Sequence, residues 1–185
     1  MDGLPYREST RLSGWDYSNP GRYFVTICTT ERVPFFGQIH NGIIGLSAAG
    51  CIAWHVWRRI PKRFPGTLID VCIVMPNHVH GILRILDMGK NVGETNWVSA
   101  GQPEDTGGVT GQKNPMIHER HLGRVIQWFK GRCTYEIHQR NNWEFGWQSR
   151  YYDRIIRSEG ELKRIREYIR DNPIHWKNDK YYFAN

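Results

Sequence analysis

Two histidines set two apart inside an apolar run are the residues of this sequence best suited to chemistry. His78 and His80 stand in MPNHVHGIL (75–83), within the longer stretch LIDVCIVMPNHVHGILRIL. Side chains alternate along a β-strand, so both imidazoles point to one face. Paired neutral imidazoles on a buried face form a ready clamp for a metal ion. A buried histidine can also simply hydrogen-bond, and an H-x-H pair by itself does not decide between the two. A second pair, Tyr168 and Asn172 in EYIRDNP, is spaced by four and shares one face of a helix. It lies at the edge of the apolar stripe Leu162, Ile165 and Ile169, where such a helix would meet a sheet. If that helix packs over the strand, two imidazoles, an amide oxygen and a phenol converge. Such a set suits in-line displacement at a phosphodiester. A metal polarises the phosphoryl oxygen, and an activated tyrosine hydroxyl attacks. Mixed nitrogen and oxygen ligands suit Mg or Mn, although nitrogen would also accept Zn. Tyr151 and Tyr152 rival Tyr168 on the same grounds. Asn172 before Pro173 is equally explained as a helix C-terminus. The other six histidines have no paired spacing and read as surface or packing residues.

The elements that must position these residues can be read from pattern. RYFVTICTT (22–30) is aromatic and β-branched, a first strand. Asn41-Gly42 signals a hairpin turn. Ser47 reads as the N-cap of a helix over AAGCIAWHVWRRIPKRFP, with Cys51, Ile52, Trp54, Val56 and Ile60 facing the core and the prolines ending it. TLIDVCIVM (67–75) and VHGILRIL (79–86) are two antiparallel strands joined at Pro76-Asn77. Residues 87–118 are rich in Gly, Asn, Thr and Pro without periodicity, and read as a flexible insertion. A helix follows over 118–141, with Leu122, Val125, Ile126, Phe129 and Cys133 inward. WQSRYYDRIIRS (147–158) suggests a further strand, and Ser158 with Glu161 a capping box for the last helix. This order predicts an α+β, ferredoxin-like antiparallel sheet with helices packed on one face. Residues 20–178 form one domain, preceded by a polar arm (1–19) and followed by a tail (179–185).

The chain has 185 residues, 25 Lys and Arg against 18 Asp and Glu, a formal charge of +7 and a pI near 9.4. That balance suggests a polyanionic partner, most simply nucleic acid. The four cysteines are far apart with no C-x-x-C pair, which argues for a reducing compartment and against a zinc ribbon. No apolar run reaches the length of a membrane span, and MDGLPYREST lacks a signal-peptide core. The expectation is a cytoplasmic, nucleoid-associated protein with no membrane partner.

With these residues in view, the chain resembles the HUH single-tyrosine transposase superfamily, whose signature is histidine, bulky hydrophobe, histidine. Here that is His78-Val79-His80. The later strings WQSRYYDRIIR and YIRDNP resemble the REP-associated tyrosine transposases, and the likeness covers residues from about 20 to 178. The resemblance implies that His78 and His80 are metal ligands and that Tyr168 is the nucleophile. Asn172 falls where the family has a third, polar ligand; other members carry the longer glutamine there. It further implies cleavage and rejoining of single-stranded DNA through a 5′-phosphotyrosine, with a divalent metal, Mg or Mn, on hairpin-forming repeats. The partner would be single-stranded or hairpin DNA, and the protein a monomer or homodimer.

Basic residues expected to hold phosphates are Arg120, Arg124, Lys130, Arg132, Arg150, Arg154, Arg157 and Arg164, concentrated in the C-terminal third. Trp143, Trp147 or Tyr151 could stack on unpaired bases. Tyr6, Arg7 and Arg11 of the arm are candidates for hairpin recognition. Two other functions fit the same residues: a catalytically inactive hairpin-binding protein, and a metal-dependent nuclease that uses water instead of Tyr168.

Overall fold

The four strands of the main sheet are linked by helical crossovers, and a last helix lies over the sheet. The computed structural model describes residues 15–87 and 121–182. The expected insertion (apart from residue 87), most of the N-terminal arm with Tyr6, Arg7 and Arg11, and Arg120 lie outside the described residues.

The elements are β1 (Gly21–Cys28), β2 (Gly37–His40), β3 (Ile43–Leu46), α1 (Ala48–Arg58), α2 (Ile60–Arg63), β4 (Thr67–Met75), β5 (His78–Ile85), α3 (Leu122–His138), β6 (Tyr152–Ile156) and α4 (Glu159–Asp171). The main sheet has the order β4-β5-β1-β6, with all three pairings antiparallel. Counted along the chain, the sheet strands run second, third, first, fourth, with α1 and α3 in the two crossovers. That is the split βαβ, ferredoxin-like arrangement expected from the sequence. β2 and β3 form a separate hairpin, whose turn residues Asn41 and Gly42 both take positive φ, at 52° and 75°. The Asn-Gly signal is therefore realised as a twisted two-residue turn.

The sheet is covered on both faces, not one. On one side Tyr23, Val25, Ile27, Val79 and Leu83 pack against α1 and α3 in the larger core. On the other, Phe24, Ile82 and Ile156 pack against Leu162 and Ile169 of α4. The βαββαβ order fills the first face. α4, coming after the last strand, covers the face left bare. His78, His80 and Ile82 share the α4 side by strand alternation.

The helix caps match their signals. The Ser47 side chain accepts from the Gly50 N–H, and that of Ser158 from the Glu161 N–H. The Glu161 carboxylate in turn accepts the N–H of Arg157, one residue before the cap.

The stripe expected on α1 is rotated. Cys51 is exposed and Trp54 is 37% exposed, while Ala49, Ile52, Ala53, Val56 and Trp57 are buried. Trp57 inserts because Gly81 on β5 leaves room. A Cβ there would lie 2.3 Å from the indole. Trp54 instead lies beneath the guanidinium of Arg58, 4.6 Å from the ring centre. Pro61 does not end the helical run. It sits in the first turn of α2, where its missing N–H costs no hydrogen bond. The strand expected over 147–158 is ordered as β6 over five residues.

Candidate metal and nucleophile site

β5 delivers both histidines to one point under the C-terminal turn of α4. His78 and His80 are buried at 0% and 1% exposure, with ring centres 4.3 Å apart. Each ring has one nitrogen held from behind. The His80 Nδ1 lies 2.8 Å from Thr26 Oγ1 on β1, its cross-strand partner. The His78 Nδ1 lies 2.9 Å from Asn77 Oδ1.

Asn77 determines which nitrogen of His78 is protonated. Its Nδ2 donates to the carbonyls of Arg32 and Tyr181, at 3.1 and 2.9 Å. Its Oδ1 therefore faces the imidazole, and Nδ1 of His78 must carry the proton. Nε2 is left as a bare lone pair, buried and without a hydrogen-bond partner among the described residues. Orienting one ring nitrogen so that the other is free is the usual preparation of a metal-binding histidine. Burial also keeps both rings neutral. It lowers the His78 pKa to about 3, with Lys180 and Arg32 adding to the effect. Burial and the neighbouring His78 depress His80 well below its ordinary value.

The geometry brings Tyr168 to this pair. Its hydroxyl lies 3.2 Å from His80 Nε2, and its ring packs edge-on against Phe24 with centres 6.2 Å apart. The phenol is 41% exposed and lines a cavity of about 380 Å³ with His80, Thr26, Tyr152, Arg154 and Asp179. Burial, and then the Asp179 carboxylate, raise its pKa above the ordinary tyrosine value. The Nε2 lone pair of His80 can serve the Tyr168 proton or a metal ion, but not both.

A carboxylate completes the cluster, and it comes from the segment expected to be only a tail. Asp179 joins His78 and His80 in a set whose ligand atoms all lie within 4.8 Å of one another. Asn172 is buried at 3% and lies beside that set, its Nδ2 donating to Asp179 Oδ2 at 2.7 Å. The Asn172 Oδ1 is buried without a partner among the described residues. Two buried lone pairs without partners and one carboxylate fit a divalent cation, since such groups are costly to bury unless something ligates them. Tyr181 seals the side of the pair, its ring centre 4.6 Å from that of His78.

Neither rival tyrosine has a hydroxyl placed against the histidine pair as that of Tyr168 is. Tyr152 lies on the cavity rim, and Tyr151 packs against the core of the other sheet face. The basic residues divide between the two faces. Arg154 lines the cavity and pairs with Glu161 at 2.7 Å. Arg157 is exposed just before α4 and Arg164 on it, and Arg150 is exposed in the loop before β6. Arg124, Lys130 and Arg132 ride on α3, across the sheet from the histidines. Lys130 donates to the carbonyls of Gln148 and Ser149, and Arg132 pairs with Glu136 at 2.6 Å, so both act as ties within the fold. Of the candidate stacking residues, Trp147 is packed among Phe36, Phe129 and Phe145, while Trp143 is 67% exposed. Lys180, which no sequence pattern marks, also lines the cavity. No helix among the described residues is long and apolar enough to cross a membrane.

No protein-family model matches the chain. An uncharacterized protein of Haemophilus influenzae is 34% identical over 183 residues, which is 97% of this chain and 95% of that protein. Among solved structures, a REP-associated tyrosine transposase bound to a REP hairpin superposes with a TM-score of 0.56 at 17% identity. The match covers 96% of this chain and 77% of that one. The structural likeness establishes the fold that the sequence predicts.

Proposed function

The chain belongs to one family with the Haemophilus influenzae protein and has the fold of the REP-associated transposase; from that premise we propose that it is a metal-dependent, single-tyrosine DNA endonuclease and strand transferase. The observation that carries this reading is the 3.2 Å approach of the Tyr168 hydroxyl to His80 Nε2, beside the bare Nε2 lone pair of His78. His78 and His80 would hold a divalent ion, Mg or Mn, through these nitrogens. Asp179 and the Asn172 Oδ1 are the oxygen donors beside them. When bound, the ion polarises a phosphoryl oxygen and offsets charge developing on it.

Tyr168 Oη attacks the phosphorus of a single-stranded backbone. An O–P bond forms to the tyrosine and the P–O3′ bond breaks. The products are a 5′-phosphotyrosine and a free 3′-hydroxyl, which takes up a proton. With an ion on His80 Nε2, Asp179 Oδ2, 3.4 Å away, would be left as the acceptor within reach of the phenol proton. Because the phenol pKa is raised, the hydroxyl stays protonated until such a partner accepts its proton. The ester stores the bond energy for rejoining to another 3′-hydroxyl. Arg154 at the cavity rim binds an adjacent phosphate. The substrate is single-stranded DNA bearing REP-like hairpins.

The test is incubation of the protein with 5′- and 3′-labelled single-stranded hairpin DNA and Mn or Mg, read on a denaturing gel. A protease-sensitive, slow-migrating labelled band, absent in Tyr168→Phe, is expected. Cleavage that persists in Tyr168→Phe without an adduct would point to a water-using nuclease. Binding with no cleavage in any metal would leave a hairpin-binding protein.

A further inference from the structure

A second cavity, of about 490 Å³, lies at the opposite end of α4 from Tyr168. Arg22, Arg84 and Arg157 line it together with two acids, Asp87 and Glu159. Arg22 and Arg84 are directly opposed on β1 and β5. By strand alternation they lie on the face that also carries Phe24, His80 and Ile82. Like charges directly opposite on neighbouring strands destabilise a sheet. The one ion pair in this cavity among the described residues joins Arg22 to Glu159, whose side chain is 76% exposed. Among the described residues no carboxylate lies within ion-pair distance of Arg84 or Arg157. Arg22 has Glu159 as its ion pair and the Asp70 carboxylate acting on it at longer range, while Arg84 and Arg157 form no ion pair among the described residues; an anion would complete the three.

The second cavity is aligned with the first. Thr26, opposite His80, and Arg22 are four residues apart on β1, about 13 Å along an extended strand. On β6, the edge strand of the sheet, Arg154 lines the first cavity. Arg157, just beyond the same strand, lines the second. A basic path therefore runs beside α4 from the tyrosine to the arginine pair.

We propose that the cavity framed by Arg22, Arg84 and Arg157 is a second phosphate subsite, holding a backbone phosphodiester of single-stranded DNA a few nucleotides from the bond cleaved at Tyr168. This rests on the DNA-cleaving reading above. Guanidinium groups take phosphate oxygens in pairs, without reading sequence. The subsite thus sets the direction and register of the strand, and leaves hairpin choice to other residues.

The test measures anisotropy of labelled oligo(dT), without metal, across a salt series. The proteins are wild type, Arg84→Gln, the Arg84→Gln/Arg157→Gln double variant, Arg84→Lys, and Arg140→Gln on the far side of the sheet as control. The double variant should bind about tenfold more weakly at low salt. Its log K against log salt slope should be shallower by about 0.7 for each phosphate that is no longer neutralised. Arg84→Lys should keep the slope and give up part of the affinity. Arg84→Gln should melt no lower than wild type, because a like-charge opposition is removed. Wild-type affinity and slope in the double variant would overturn the subsite while leaving the DNA reading intact. An equal loss on a blunt hairpin lacking single-stranded arms would overturn the single-strand assignment. Failure of the wild type to bind oligo(dT) at all would overturn the DNA reading, and the subsite with it.

Discussion

Acidification should destabilise this fold through the histidine pair before any carboxylate titrates. In the native state burial holds the His78 pKa at about 3, whereas an unfolded histidine titrates near 6.5. Below pH 6.5 the unfolded chain takes up a proton that the fold refuses, so stability falls with pH through the window from 6.5 to 3. Linkage gives about 2 kcal/mol lost at pH 5 for such a group. His80 is depressed in the same direction, so its loss adds to that of His78. The lowered carboxylates, Asp70, Glu136 and Glu161, do not interfere. Their contribution is present above their unfolded values near 4 and is lost only below that. The assay is urea unfolding at pH 7.5 and pH 5 for wild type and His78→Gln. Glutamine does not titrate, and every other histidine acts equally in both proteins. The variant should lose about 2 kcal/mol less than wild type on acidification. Saturating Mn should steepen the wild-type pH dependence, because the ion binds neutral imidazoles of the fold. Equal acid losses in wild type and His78→Gln would refute the claim that His78 is held neutral by burial.

Three further outcomes are expected. Asn77→Ala should weaken Mn binding about 10- to 100-fold by titration calorimetry, because nothing then fixes the His78 tautomer; unchanged affinity would remove Asn77 from the site's design. Gly81→Ala should cost about 1–3 kcal/mol in denaturant unfolding, since the new methyl meets the Trp57 ring at 2.3 Å. Asp70→Asn should cost about 1 kcal/mol in unfolding and slow adduct formation, because Arg166 is bidentate on that carboxylate and ties α4 to β4 two residues before Tyr168. The reversed pair Asp70→Arg with Arg166→Asp should restore part of the rate, and no change in either variant would show that Tyr168 is placed without the ion pair.

How much of this site the sequence disclosed follows from the range of the rules involved. The period of a strand places His78 and His80 on one face, and the spacing of a helix places Tyr168 beside Asn172. The 3.2 Å contact between the two elements follows once the apolar edge of α4 seats on Phe24 and Ile82. Charge near Tyr168 in sequence does not obey such a rule. α3 precedes β6 in a crossover, so Lys130 and Arg132 are carried to the opposite face, whereas Arg22 and Arg84, far off in sequence, arrive on the right one. Asp179 has no period at all. It reaches the histidines because the chain beyond α4 folds back until Asn77 grips the Tyr181 carbonyl, while Asp179 itself accepts the Tyr181 N–H at 2.7 Å. Asn77 is legible only as a turn residue, although its place immediately before the first histidine is where a side chain can reach that ring. Gly81 carries a clearer sign. A glycine inside a strand marks the close approach of something large, and among the tryptophans of α1 only one a full turn beyond Ala53, which is itself buried, could meet it. Taken at its physical value, that glycine selects Trp57 over Trp54. It thereby orients α1 on the face away from the histidines, and leaves their face for α4 and its tyrosine.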